Sequence, residues 1–129
     1  MVVNRQNRFR VVQKPLRAFA ARLARALQIE ADAFTVALVS DREITRLNGR
    51  FRGLAKPTDV LAFPSGNGTE RNEYRGDVVL SVEMARRNAA RHGHGLGEEI
   101  KLLTLHGVLH LLGYDHASEI GRASCRERV

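Results

Sequence analysis

Apolar positions along the chain change period several times, and each change marks an element. Val2, Val3, Phe9, Val11 and Val12 alternate loosely within the first twelve residues, which predicts an edge strand. Pro15 suits the first turn of a helix, and Leu16, Phe19, Ala20, Leu23 and Leu27 then recur at helical spacing. Arg17, Arg22 and Arg25 fall off that stripe and read as its wet outer face. Phe34 to Val39 (FTVALV) alternates and is β-branched, so it predicts a strand. Ser40-Asp41-Arg42-Glu43 has the spacing of a capping box, with Ser40 as cap and Glu43 reaching back. It opens a short helix carrying Ile44, Leu47 and Phe51.

Gly53 and Pro57 mark a loop, which gathers Arg50, Arg52 and Lys56. Asp59 to Phe63 is a short strand stopped by Pro64. Ser65 to Glu73 is polar and glycine-containing, and predicts a hairpin turn. Tyr74 to Ser81 is the next strand, with Val78, Val79 and Leu80 a continuous apolar run suited to burial on both faces. Asp77, near its start, reads as a turn-making residue. Ser81 can cap a helix from Val82 to about Arg91, ended by His92-Gly93. His92 and His94 fall in a glycine-rich linker and read as exposed residues rather than ligands. Leu96 to Leu112 is the last helix, with Glu98 and Glu99 favouring the dipole of its first turn. Its leucines surround the axis, so it should be central. Strands alternating with helices predict one α/β or α+β domain with a sheet of about four strands.

Composition narrows the setting. At 129 residues and 43% hydrophobic, the chain suits one core and is too apolar for disorder. No apolar run is long enough to cross a bilayer, and the first ten residues carry no signal-peptide core, so a cytoplasmic protein is expected. The formal net charge is +7, with a pI of about 10.7. A basic, arginine-rich balance favours a nucleic-acid partner, and a solvated basic surface is the plainer alternative. The single cysteine, Cys125, permits neither an intrachain disulfide nor a cysteine zinc site.

The densest chemistry lies in Leu105 to His116, LHGVLHLLGYDH. His106 and His110 are four residues apart, so on a helix both project from one face, as in H-E-x-x-H zinc helices. Gly113 suits the left-handed turn that ends a helix, after which His116 can return to the same ion. Three imidazoles leave one position of a tetrahedral zinc open, the mark of a catalytic rather than a structural metal. The spacing resembles the metzincin signature H-E-x-x-H-x-x-G-x-x-H. The glutamate that serves proteases as general base is replaced by Gly107, so the metal geometry survives without that base. Asp115 reads equally as a partner orienting a ligand imidazole or as a turn residue. The loop cations Arg50, Arg52 and Lys56 form either a phosphate-binding lip or a solvated turn.

HGVLHLLGYDH (106–116) resembles the signature of the YbeY family of bacterial endoribonucleases. Leu47-Asn48 through Arg52-Gly53, Lys56-Pro57-Thr58-Asp59-Val60-Leu61, Phe63-Pro64 and Gly76-Asp77-Val78 are similar to that family's other segments, in the same order. Ala62 stands where the family usually has serine. The resemblance covers Phe34 to His116. It implies a single α+β domain and one zinc ion on His106, His110 and His116. It also implies cleavage of RNA in maturation of the small-subunit rRNA 3′ end and in ribosome quality control. The implied partners are ribosomal RNA and the small subunit, with no membrane. The family's arginine maps to Arg52, implied as a catalytic residue; Arg50 and Lys56, from the basic loop reading, are expected as RNA contacts. A competing expectation is a ribosome-associated RNA-binding module with a structural metal. A degenerate protease fits less well, because peptide substrates do not account for the arginine excess.

One departure concerns the end of the chain. After His116 the family continues with an acidic stretch and a closing helix, whereas this chain runs Ala117-Ser118 and then EIGRASCRERV. That tail lacks helical periodicity and resembles an in-frame translation of sequencing-adapter DNA. Residues 1–118 are therefore expected to form a truncated family domain, and 119–129 a non-native tail. The basic excess does not depend on it, because Arg122, Arg126 and Arg128 outnumber Glu119 and Glu127 by one.

Overall fold

The computed structural model describes residues 1–65 and 74–114, and the backbone of 127–128. The elements in order are β1 (Val2–Asn4), α1 (Gln13–Ala26), β2 (Phe34–Val39), α2 (Asp41–Arg52), β3 (Val60–Pro64), β4 (Gly76–Ser81), α3 (Val82–His92), α4 (Leu96–Leu111) and β5 (Glu127–Arg128). The five strands form one mixed sheet in the order β1-β2-β4-β3-β5. β1, β2 and β4 run parallel, β3 runs antiparallel to β4, and the two-residue β5 lies parallel to β3. This is the expected α+β domain, with four principal strands and β5, from the stretch expected to be foreign, added at one edge.

Alternation along the strands assigns a helix layer to each face. Val36, Leu38, Val60, Ala62, Val78 and Leu80 point to a core shared with Leu16, Ala20 and Ala24 of α1, Val82 and Ala85 of α3, and Ile100, Leu103, Val108 and Leu111 of α4. Ala37, Val39, Leu61 and Val79 face the other way and pack against Ile44 of α2. So α1, α3 and α4 cover one face and α2 the other. No helix among the described residues is long and apolar enough to cross a membrane.

Several expectations change in detail. The first strand is only Val2–Asn4, and α1 begins two residues before Pro15. Ser40 caps α2 by accepting from the Glu43 N–H at 3.2 Å. The Glu43 carboxylate does not complete the box: it lies 3.0 Å from Arg5 and 3.6 Å from Arg46. Phe51, carried on α2 at the spacing of Ile44 and Leu47, is exposed and meets Phe63 edge-on at 5.3 Å. Asp77 makes no turn. It lies within β4 and accepts a hydrogen bond from the Tyr74 hydroxyl. The expected hairpin at Ser65 to Glu73 is bracketed by the antiparallel β3–β4 pair, although 66–73 lie outside the described residues.

Candidate metal site and basic cluster

α4 carries the histidine pair on the most enclosed helix of the domain. Ile100, Leu103, Val108 and Leu111 are buried in the core, and β3, β4, α1 and α3 all pack against the helix. His106 is half-buried and His110 is buried, and the Nδ1 atom of each ring is shielded from solvent. Four residues apart on one helix, they project from the same side about 5–6 Å apart at Cβ. The pair stands in the last two turns of α4, where packing against β3 and β4 and the capped helix end hold the backbone.

Gly107, in the position of the protease glutamate, has a packing reason to be glycine. A Cβ there would lie 2.5 Å from Cγ1 and 3.0 Å from Cγ2 of Val78, and 3.3 Å from Val60 Cγ2. The helix backbone thus lies directly on the sheet between the two histidines. The missing base and the close helix–sheet contact are one feature.

The helix ends as its sequence predicts. Gly113 has φ +86, its N–H donates to the His110 carbonyl at 3.1 Å, and the Tyr114 N–H donates to the Leu109 carbonyl at 2.9 Å. These are the two bonds of a Schellman turn, which redirects the chain immediately before the third histidine. His116 and Asp115 themselves lie outside the described residues, as does Cys125.

Arg50 and Arg52 do not lie on a loop. α2 continues through Arg52 and stops at Gly53, whose φ of +71 is the left-handed cap. Both arginines therefore stand in the last helical turn, where cations complement the dipole. Asn48, fully buried one turn earlier, ties this region together. Its Nδ2 donates to the Lys56 carbonyl at 2.9 Å, and its Oδ1 accepts from Arg52 at 3.1 Å. Arg50 lies over the Phe51 ring at 5.3 Å. Asn48 thus ties the Arg52 side chain to the Lys56 backbone at the C-terminal end of α2, whose apolar residues Ile44 and Leu47 pack on the sheet face opposite α4. A related chain of polar groups joins Asp59 to Asn88 at 3.2 Å and Asn88 to Arg91.

Sequence reasoning missed a second group. Glu99, expected at the solvated helix start, is buried, and His92 and His94 turn toward it. These three residues could hold a metal ion. The available signal was H-x-H followed five residues later by an acid.

The family model for endoribonuclease YbeY matches residues 1–128. Among curated relatives, "Endoribonuclease YbeY" of Aquifex aeolicus is 46% identical over 91 residues, covering 70% of this chain and 61% of the relative. The Desulforamulus reducens protein of the same name is 44% identical over 96 residues, covering 70% and 63%. That of Heliobacterium modesticaldum is 37% identical over 120 residues, covering 84% and 72%. The chain thus spans under two thirds of the length of the first two relatives. A Thermotoga maritima protein solved in solution shares the fold with a TM-score of 0.62 at 28% identity, covering 90% of this chain and 75% of that one.

Proposed function

The chain belongs to the endoribonuclease YbeY family, and from that premise we propose that it is a metal-dependent endoribonuclease hydrolysing phosphodiester bonds in single-stranded RNA. We assign its metal site to His106, His110 and His116 with one zinc ion. We assign its role to maturation of the small-subunit rRNA 3′ end and ribosome quality control in the cytoplasm. The observation that carries this reading is the His106–His110 pair, one turn apart on the enclosed helix α4. The donors suit the ion: imidazoles are common zinc ligands, and a rigid helix with a Schellman turn behind it supports them. Residues 1–118 are read as the family domain and 119–129 as foreign to it.

A bound zinc would supply Lewis-acid polarisation of a phosphoryl oxygen and a water of lowered pKa. Gly107 offers no carboxylate to take a proton, so proton acceptance falls to another group. Arg52, braced by Asn48, presents its guanidinium to phosphoryl oxygens, where paired N–H donors match developing negative charge. Arg50 and Lys56 hold neighbouring phosphates of the strand.

The close packing at Gly107 also favours a second reading, an RNA-binding module whose metal is structural, because it removes the protease-type base. Metal analysis of the purified protein, with cleavage of a structured rRNA fragment with and without chelator, tests both. Chelator-sensitive cleavage that His110→Ala abolishes, with fold and RNA binding retained, supports the nuclease. Unfolding of His110→Ala with no cleavage by the parent protein supports the structural metal.

A further inference from the structure

The turn between α3 and α4 gathers ligating groups away from the His106–His110 pair. Glu99 has no solvent exposure. Its Oε1 lies 2.9 Å from His92 Nδ1 and 2.6 Å from His94 Nε2. One ligand atom from each of the three residues lies within 4.8 Å of the others. Gly93, at φ +73, turns the chain between the histidines, so that both rings reach the same carboxylate and meet edge-on at 5.6 Å.

The cluster leaves one oxygen of the buried carboxylate without a partner among the described residues. A carboxylate taken out of water is costly unless it is paired. Burial pushes the Glu99 carboxyl up, but hydrogen bonds from His92 and His94 outweigh it and hold it below its ordinary value. Its second oxygen, Oε2, is buried with no hydrogen-bond partner among the described residues.

We propose that His92, His94 and Glu99 form a second divalent-metal site, of the zinc class, that fastens the α3–α4 turn to α4. Two imidazole nitrogens and one carboxylate oxygen are a donor set that first-row dications accept. Donors that share a zinc at ~2.1 Å stand ~3.4 Å apart, so the two short contacts must open by less than about 1 Å. The histidines can give that movement. Their side chains are 47% and 34% exposed, and no atom would obstruct a Cβ at Gly93, Gly95 or Gly97.

This site is separate from the one assigned to RNA cleavage. Glu99 and His106 are seven residues apart on α4, a rise of ~10 Å. Two-metal centres hold their ions ~3.5–4 Å apart, so the second ion does not share the scissile phosphate. The inference does not depend on the chain being a nuclease.

Zinc titration of metal-free His106→Ala/His110→Ala protein tests the proposal, with stoichiometry read by calorimetry and cobalt absorption as a second probe. One equivalent should remain, and adding His92→Gln/His94→Gln should remove it. Glutamine keeps an amide donor for Glu99 but ligates zinc poorly, so the fold, checked by circular dichroism, is protected. Histidine ring 15N shifts on zinc addition give a readout that needs no substitution at the cluster. Movement of His92 and His94 supports the site. Binding of no zinc by His106→Ala/His110→Ala protein, survival of the equivalent in the glutamine variant, or unmoved His92 and His94 resonances would each overturn it. One equivalent in the parent that only the His92/His94 changes remove would support this site and sink the His106–His110–His116 assignment instead.

Discussion

Gly107 of α4 and Val78 of β4 stand so close that a methyl group on the glycine would lie 2.5 Å from Val78 Cγ1. Val78 is fully buried and β-branched, so it cannot swing aside cheaply. Gly107→Ala should therefore destabilise the fold by about 1–3 kcal/mol, the usual cost of overpacking. The gain in helix propensity, about 1 kcal/mol, offsets part of that cost, so the net loss read in the experiment should be up to about 2 kcal/mol. Urea unfolding measures the difference. A variant as stable as the parent would show that α4 can lift from the sheet without cost. Gly107→Glu, which restores the protease base, adds an unpaired charge at the same contact and should be worse.

Ser81 joins three elements through one hydroxyl. It accepts from the Met84 N–H at 3.1 Å, capping α3, and donates to Asp41 Oδ1 at 2.5 Å, while Arg87 holds the other Asp41 oxygen at 2.6 Å. Ser81 has no solvent exposure. Ser81→Ala removes the cap and leaves Asp41 short of a donor, so a loss of about 1–3 kcal/mol is expected. Ser81→Thr, which keeps the hydroxyl, should recover part of it. A thermal melt that does not shift in Ser81→Ala would count against the junction.

The caps and strands were legible because their signals are local. Ser40, Ser81 and Gly113 act where the sequence places them, and the alternation in Phe34–Val39 assigns its two faces correctly. The remainder depends on distant partners. Glu99 looks like a dipole-favouring acid until α3 brings His92 and His94 beside it. Phe51 follows the apolar period of α2, yet that helix rolls it outward against Phe63. The loop expected around Arg50 and Arg52 is helix because Gly53, not the arginines, marks the stop. The histidine pair was visible from spacing, while the reason for Gly107 needed the sheet beneath it.

Tyr74 offers a spectroscopic test of the β4 edge. Burial pushes its phenol up, the hydrogen bond to Asp77 pushes it further, and the Thr35 hydroxyl at 2.7 Å acts the other way. A raised folded value stabilises the fold fully below the ordinary tyrosine pKa of about 10, and that contribution is lost as pH rises through the folded value. The chain has two tyrosines and no tryptophan, so tyrosinate absorbance is easily followed. One of two titration steps should lie above the ordinary range, and Tyr74→Phe should remove that step and flatten the alkaline loss of stability. Two coincident steps near the ordinary value would contradict the geometry.

Asn48 and Arg52 should behave as one unit in RNA cleavage. Asn48 is fully buried, and its amide holds both the Lys56 carbonyl and the Arg52 guanidinium. Asn48→Ala leaves that carbonyl without its donor, costing about 1–3 kcal/mol of stability. It also releases Arg52 from its brace, so cleavage should fall by roughly 10-fold in protein that is still folded. Arg52→Ala removes the guanidinium itself and should cost more, roughly 100-fold, the scale seen when one preorganised donor is lost. If Asn48 acts on catalysis only through Arg52, the double variant should be no slower than Arg52→Ala alone. Multiplied losses would show that the two residues contribute separately. Metal content should be unchanged throughout, because α2 packs on the sheet face opposite α4. Loss of zinc in Asn48→Ala would mean that the basic cluster and the histidine helix are coupled through the sheet.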